Sequence, residues 1–196
     1  MEKTKALLVV DVQNDFCPGG KLGLPDGDKI IPVLNDYIRL FSKKKLPILV
    51  TRDWHPTKTV HFEKYGGKWP QHCIQGTSGA QFHPNLRLPK SVIIISKGIY
   101  PDKDGYSVFS GEDSRGKDFS AVLKYLAIDE LFIGGLATDY CVRHTALDAL
   151  AKGFKIWLLV DAIKGVDKQG SERAIKEMKA AGAKETTFSE AANLMF

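Results

Sequence analysis

An α/β fold of three layers is predicted for this chain: helices on both faces of a mostly parallel sheet of five to six strands, with a Rossmann-like arrangement. Three observations predict it. Short, wholly apolar runs recur along the chain, as strands buried on both faces require. Helical patterns alternate with those runs, which is the signature of parallel crossover connections. Most of the runs end on a polar or charged residue or on glycine.

The elements follow in order. Ala6 to Val10 is an apolar strand ending at Asp11. Ile30, Ile31, Leu34, Ile38 and Phe41 recur at helical spacing, and Pro32 falls early enough to sit in the first turn. Pro47 introduces the strand Ile48-Leu49-Val50, which ends at Asp53. Val92 to Ile95 is a third strand, closed by Lys97-Gly98, and Phe119 to Leu126 reads as a helix. Leu131 to Ile133 is a fourth strand that breaks at Gly134-Gly135, and a helical pattern starting near Asp139 runs from Tyr140 to Ala151, stopped by Gly153. Ile156 to Val160 is a strand ending at Asp161, Ser171 to Ala181 is a helix with Gly182 after it, and a short strand and helix close the chain. Residues 1–196 read as a single domain. Its one irregular stretch is Trp54 to Pro89, rich in Gly, Pro, His and aromatics; a loop that long is rare unless it carries function.

Composition narrows the function. The chain has 196 residues, 43% of them hydrophobic and 26% charged. No apolar stretch approaches the roughly 20 residues of a membrane span, and the N-terminal segment does not read as a signal peptide. A cytoplasmic protein that engages no membrane is expected. Cys17, Cys73 and Cys141 are odd in number and widely spaced, which argues against a disulfide framework and a four-cysteine zinc site. The net charge of +5 is dispersed, and its densest run, Lys43-Lys44-Lys45, sits where a helix end favours cations, so no nucleic-acid partner is expected. The sequence leaves a homo-oligomer open.

In an open parallel sheet, ligands bind beyond the carboxyl ends of the strands. Asp11, Asp53 and Lys97 end three strands, and Cys141 follows a fourth. A lone strand-end Asp is ordinarily a turn residue, and a lone Cys a buried structural one; four such groups on one rim are hard to attribute to turn chemistry. A cysteine at a helix start feels unpaired N–H groups and the positive end of the dipole, which favour the nucleophilic thiolate. Asp53-Trp-His55 places a carboxylate and an imidazole on the same side of an extended segment. With a second imidazole from His61 or His72 they form a two-His, one-carboxylate site with open positions, suited to Zn²⁺ or Fe²⁺. Scattered surface histidines are the ordinary alternative. His83 reads as a loop residue and His144 as a helix residue behind the cysteine.

The motifs Val9-Val-Asp11-Val-Gln-Asn-Asp15-Phe16, Thr51-Arg-Asp53-Trp-His55-Pro56, Trp69-Pro-Gln-His72-Cys73, Lys97-Gly98 and Gly134-Gly-Leu-Ala-Thr-Asp-Tyr-Cys141-Val resemble, in order, those of the isochorismatase-like cysteine hydrolases, and within them the nicotinamidase/pyrazinamidase group. The resemblance runs from residue 5 to about 165. It implies hydrolysis of nicotinamide to nicotinate and ammonia, and of pyrazinamide, through a cysteine thioester. Asp11 is then the general base, Lys97 the cation and Cys141 the nucleophile. Backbone N–H groups of Ala137 and Cys141 form the oxyanion hole beside a cis Leu136–Ala137 peptide. Asp53, His55 and His72 are implied ligands of one divalent metal, Zn²⁺ or Fe²⁺ with Mn²⁺ as a third candidate; His61 stands where some members supply a further ligand and others do not. Phe16, Trp69 and Tyr106 match positions lining the ring pocket. Other readings are another cysteine amidase of the superfamily and a non-catalytic metal-binding or redox protein. Cys141 argues against an isochorismatase proper, and the Asp53/His55/His72 set against a carbamoyl-amidase type.

Overall fold

The structure, a computed structural model, describes residues 4–194. Six parallel strands form one sheet: β1 (Thr4–Val10), β2 (Ile48–Asp53), β3 (Ile93–Lys97), β4 (Ile128–Leu136), β5 (Lys155–Lys164) and β6 (Lys184–Thr186), in the order β3-β2-β1-β4-β5-β6. The helices are α1 (Ile31–Lys43), α2 (Phe119–Tyr125), α3 (Arg143–Ala151), α4 (Lys168–Ala180) and α5 (Phe188–Leu194).

Side-chain alternation along each strand divides the core in two. Leu7 and Val9 of β1, with Phe132 of β4, pack against Leu34, Tyr37 and Phe41 of α1 and Ala191 of α5. Ala6, Leu8 and Val10, with Leu131 and Ile133, pack against Phe119 and Leu123 of α2, Ala146 and Ala149 of α3, and Met178 of α4. The three layers are those expected from the alternating pattern. The chain leaves β1 toward β2 and β3 on one side and returns to β4 on the other. The strand order therefore reverses between β1 and β4, and a crevice opens at their carboxyl ends. Among the described residues no helix is long and apolar enough to cross a membrane.

Several boundaries differ from the sequence reading. The fourth strand does not break at Gly134-Gly135; β4 continues through both to Leu136, paired with Val9 and Val10 of β1. Gly135 is dictated by contact: its φ is +123°, and a Cβ there would lie 2.1 Å from the Val10 carbonyl oxygen. Asp161 does not end β5, which runs on to Lys164 through a register shift opposite Gly135. The helix expected at Ser171 begins at Lys168, because Asp167 caps it by accepting a hydrogen bond from the Gly170 N–H. Residues 54–89 contain only short 3₁₀ turns, at Glu63–Tyr65 and Ser78–Ala80, and isolated bridges such as His55 with Ile74.

Gly135→Ala combines a left-handed backbone with a backbone clash and is expected to cost about 3 kcal/mol or more. Gly153→Ala has a positive φ but open space around it, and is expected to cost only about 1–2 kcal/mol. Urea unfolding of both variants checks this; equal midpoints would refute a packing role for Gly135.

Candidate active site

Asp11 directly follows β1 with a φ of +48°, which carries its carboxylate off the sheet into the crevice. Asp53 ends β2 and Lys97 ends β3, as the sequence predicts, and the parallel register sets the two side by side. The Lys97 ammonium is wholly buried. It lies 2.8 Å from Asp11 Oδ2 and 3.3 Å from Cys141 Sγ, and it bonds Asp53 Oδ1. Oxygens of Asp11 and Asp53 and the sulfur of Cys141 fall within 4.8 Å of one another. Thr51 completes the shell of Asp11: its hydroxyl donates to Asp11 Oδ1 at 2.5 Å.

Electrostatics follow from burial. Desolvation opposes the charge on Lys97, but Asp11 and Asp53 outweigh it and hold the ammonium well above its usual range. Burial raises Asp11, against the pull of Lys97. Burial also pushes the Cys141 thiol well up, with Lys97 acting against it and the two carboxylates adding to it. Burial and the two carboxylates thus act against the thiolate that a helix start favours, while Lys97 acts for it, and Asp11 stands beside the sulfur as a carboxylate that can take its proton. The setting of the cysteine is corrected. Cys141 lies in a π-helical turn, Thr138–Val142, that feeds directly into α3, rather than in the first turn of the α-helix. The turn is closed by N–H groups of Tyr140 and Val142, both donating to the Ala137 carbonyl at 3.1 Å. The Leu136–Ala137 peptide is cis, as expected.

A second cluster adjoins the first. Asp53 Oδ2, the oxygen turned away from Lys97, is 3.6 Å from His55 Nε2 and 3.9 Å from His72 Nε2. His61 joins them, and ligand atoms of His55, His61 and His72 lie within 4.8 Å of one another. Burial opposes charge on Asp53, but Lys97 and His55 hold its carboxyl well below the usual range. Burial depresses His72 to about 4, so its imidazole is neutral at neutral pH and can donate a lone pair. His72 Nδ1–H donates to the Pro70 carbonyl at 2.8 Å, which leaves Nε2 for a ligand. Among the described residues, neither ring nitrogen of buried His55 has a hydrogen-bond partner. Orphaned buried nitrogens next to a carboxylate and two further imidazoles fit a divalent transition metal.

One cavity of about 360 Å³ reaches the two clusters through Asp53, His61, His72 and Cys141, with Ala137 also in its wall, while Asp11, Lys97 and His55 do not line it. Phe16, Trp69 and Tyr106 line it as predicted. Phe16 packs on the His72 ring at 5.5 Å, and Trp69 Nε1 donates to the Tyr106 hydroxyl at 2.8 Å. His144 stacks behind Tyr106 at 5.2 Å, consistent with its place behind the cysteine. His83 accepts from the Asn85 N–H within its own turn. Cys17 is buried in the α1-side core, and buried Cys73 donates its backbone N–H to Asp15.

Three contributors escape sequence reasoning. Tyr140 lines the cavity edge-on to Trp69 at 5.1 Å; its place beside the cysteine was the only signal. The segment Gly20–Pro25 forms a cavity wall without any periodicity to announce it. Buried Gln13 accepts from the Asp53 N–H at 2.7 Å and donates to the Asp53 carbonyl at 2.8 Å and the Ala80 carbonyl at 2.9 Å. It fixes the backbone of the residue shared by both clusters.

Gln13→Ala leaves three buried backbone groups unpaired and is expected to cost about 3 kcal/mol, with weaker metal retention because Asp53 loses its mooring. Thermal unfolding with and without a chelator measures both effects. A variant with wild-type stability and metal content would refute this role.

A family model for the isochorismatase domain matches residues 5–190. A nicotinamidase of Acinetobacter baylyi is 40% identical over 195 residues, covering 90% of this chain and 89% of that protein. The pyrazinamidase of Pyrococcus horikoshii, solved in complex with zinc, is 49% identical with a TM-score of 0.87, over 93% of this chain and 98% of that one. PnC1 from L. infantum, solved in complex with nicotinate, is 32% identical with a TM-score of 0.83, over 96% of this chain and 94% of that one.

Proposed function

We infer that this chain, which belongs to the isochorismatase family, is a nicotinamidase: it hydrolyses nicotinamide to nicotinate and ammonia, and pyrazinamide by the same route. The observation that carries this reading is a single cavity with a buried thiol on one wall and an imidazole–carboxylate cluster on another. One wall suits attack on a carboxamide, and the other suits the lone pair of a ring nitrogen.

An amide is a weak electrophile with a poor leaving group, and covalent catalysis divides the reaction into two easier steps. In our reading Asp11 accepts the Cys141 thiol proton, and the sulfur forms a bond to the carboxamide carbon. The carbonyl oxygen becomes an oxyanion, held by the backbone N–H groups of Ala137 and Cys141; such donors are worth about 3 kcal/mol each. The C–N bond then breaks as Asp11 returns the proton to the nitrogen, and ammonia leaves a thioester. A water gives its proton to Asp11 and its oxygen to the carbonyl carbon. The C–S bond breaks, nicotinate forms, and the thiol is restored. Lys97 keeps the thiolate and carboxylate states charged in a buried site. Phe16, Trp69 and Tyr106 hold the flat ring by stacking and edge contacts.

Asp53, His55 and His72, with His61 beside them, would hold the metal. A divalent ion there would supply Lewis-acid chemistry toward a ring nitrogen and toward water. Zinc is the first ion to test, with iron(II) and manganese(II) next. In our reading a carboxamide whose ring nitrogen lies meta to it would reach from the thiol to the metal. Nicotinamide and pyrazinamide meet that condition, and benzamide offers the metal no lone pair.

Ammonia release from nicotinamide by the metal-loaded protein tests the assignment, and no release would overturn it. Cys141→Ala is expected to abolish turnover while nicotinamide still binds; a variant keeping a tenth of the wild-type rate would exclude covalent catalysis through this sulfur. Benzamide is expected to fall below nicotinamide in kcat/KM by several orders of magnitude, and equal values would mean that the metal does not read the ring.

A further inference from the structure

We propose that Asp104 is the positioning residue that makes His61 a fourth metal ligand, and so governs how tightly the site holds its ion. The proposal rests on the reading of Asp53, His55 and His72 as a metal site.

The His61 ring is buried and stacks on His55, with centroids 4.6 Å apart and planes 17° from parallel. Trp69 stacks 6.4 Å away. Stacking fixes the plane of an imidazole, but not which of its nitrogens points at the cluster. That choice falls to a hydrogen bond: His61 Nδ1–H donates to Asp104 Oδ1 at 2.8 Å. Nδ1 is thereby committed away from the cluster, and Nε2 is the nitrogen left to meet those of His55 and His72. A carboxylate behind a ligating histidine also raises its basicity.

The contact is built into the fold. The Val60 N–H donates to the Pro101 carbonyl at 2.8 Å, so the segment carrying His61 docks on the loop carrying Asp104. That loop is seated in turn on the site. Gly98, with a φ of +65°, lies so close to the His55 ring that a Cβ would be 2.4 Å from Cε1. Gly105, at +76°, lies on Gly98, where a Cβ would be 2.5 Å from its nitrogen. A chain folded this tightly against one imidazole delivers Asp104 to the next. The Asp104 side chain is itself 58% exposed while that of His61 is 4% exposed, and a pair whose carboxylate stands largely in water adds little to fold stability. Its effect is expected on the ion rather than on the fold.

The test measures Zn²⁺ dissociation constants by chelator competition for wild type, Asp104→Asn, Asp104→Ala and His61→Ala, and for Asp104→Ala combined with His61→Ala. The visible ligand-field spectrum of each Co²⁺-loaded protein is recorded alongside. Asp104→Ala is expected to weaken Zn²⁺ binding about 10- to 100-fold and to change the Co²⁺ spectrum, with Asp104→Asn between it and wild type. The metal-free unfolding temperature should stay unchanged. In the His61→Ala background, removing Asp104 should change nothing further. Wild-type affinity and spectrum in Asp104→Ala would overturn the proposal, as would an undiminished effect in the absence of His61. Absence of Zn²⁺ binding by the wild-type protein would overturn the metal site itself and this assignment with it.

Discussion

A lysine ammonium removed from water costs several kcal/mol even after relaxation, and it persists only where charges and hydrogen-bond acceptors surround it. Lys97 meets that condition through Asp11, Asp53 and the Cys141 sulfur. These groups come from four neighbouring strands of one sheet, and so the cluster exists only if the parallel register is right. Asp53 and Lys97 are register partners, and a slip of one residue would turn either side chain to the opposite face. The alternating core beneath, with Leu7 and Val9 facing α1 while Ala6, Leu8 and Val10 face the other helices, is what holds that register.

Asp53 joins the two halves of the site. One of its oxygens is taken by Lys97 and the other faces His55 and His72. The Lys97–Cys141 group and the histidine cluster therefore share one carboxylate, which ties the two walls of the cavity together. Gln13 holds the backbone of that residue through both its N–H and its carbonyl. In the proposed reading the site measures the separation of a ring nitrogen and a carboxamide, and rigidity serves that because a small misplacement of reacting groups is costly in rate.

Much of this was legible in the sequence because it is local. Apolar runs ending in Asp53 and Lys97 mark strand ends, and strand ends of a parallel sheet define the rim where Asp11 and Cys141 also lie. The helices show in the spacing of Leu34, Ile38 and Phe41. What stayed hidden depends on contacts between distant segments. Gly134-Gly135 reads as a turn because glycine usually punctuates, whereas Gly135 is in a strand that passes too close to Val10 for any side chain. Gln13 and Asp104 sit in polar, aperiodic stretches, and their partners lie 40 or more residues away. The π-helical turn around Cys141 has the same apolar spacing as the start of an α-helix, so periodicity does not separate them. The thiol's elevated pKa likewise arises from burial beside two carboxylates rather than from its neighbours in sequence.

The central claim is that nicotinamide hydrolysis passes through an acyl group on Cys141. Acid quenching of the metal-loaded enzyme during turnover at saturating nicotinamide, followed by mass analysis of the peptide carrying Cys141, tests it directly. A nicotinoyl group on that cysteine, labile to neutral hydroxylamine as thioesters are, is the predicted result. Steady release of ammonia with Cys141 unmodified at every time point, or with the acyl group on another residue, would contradict the account.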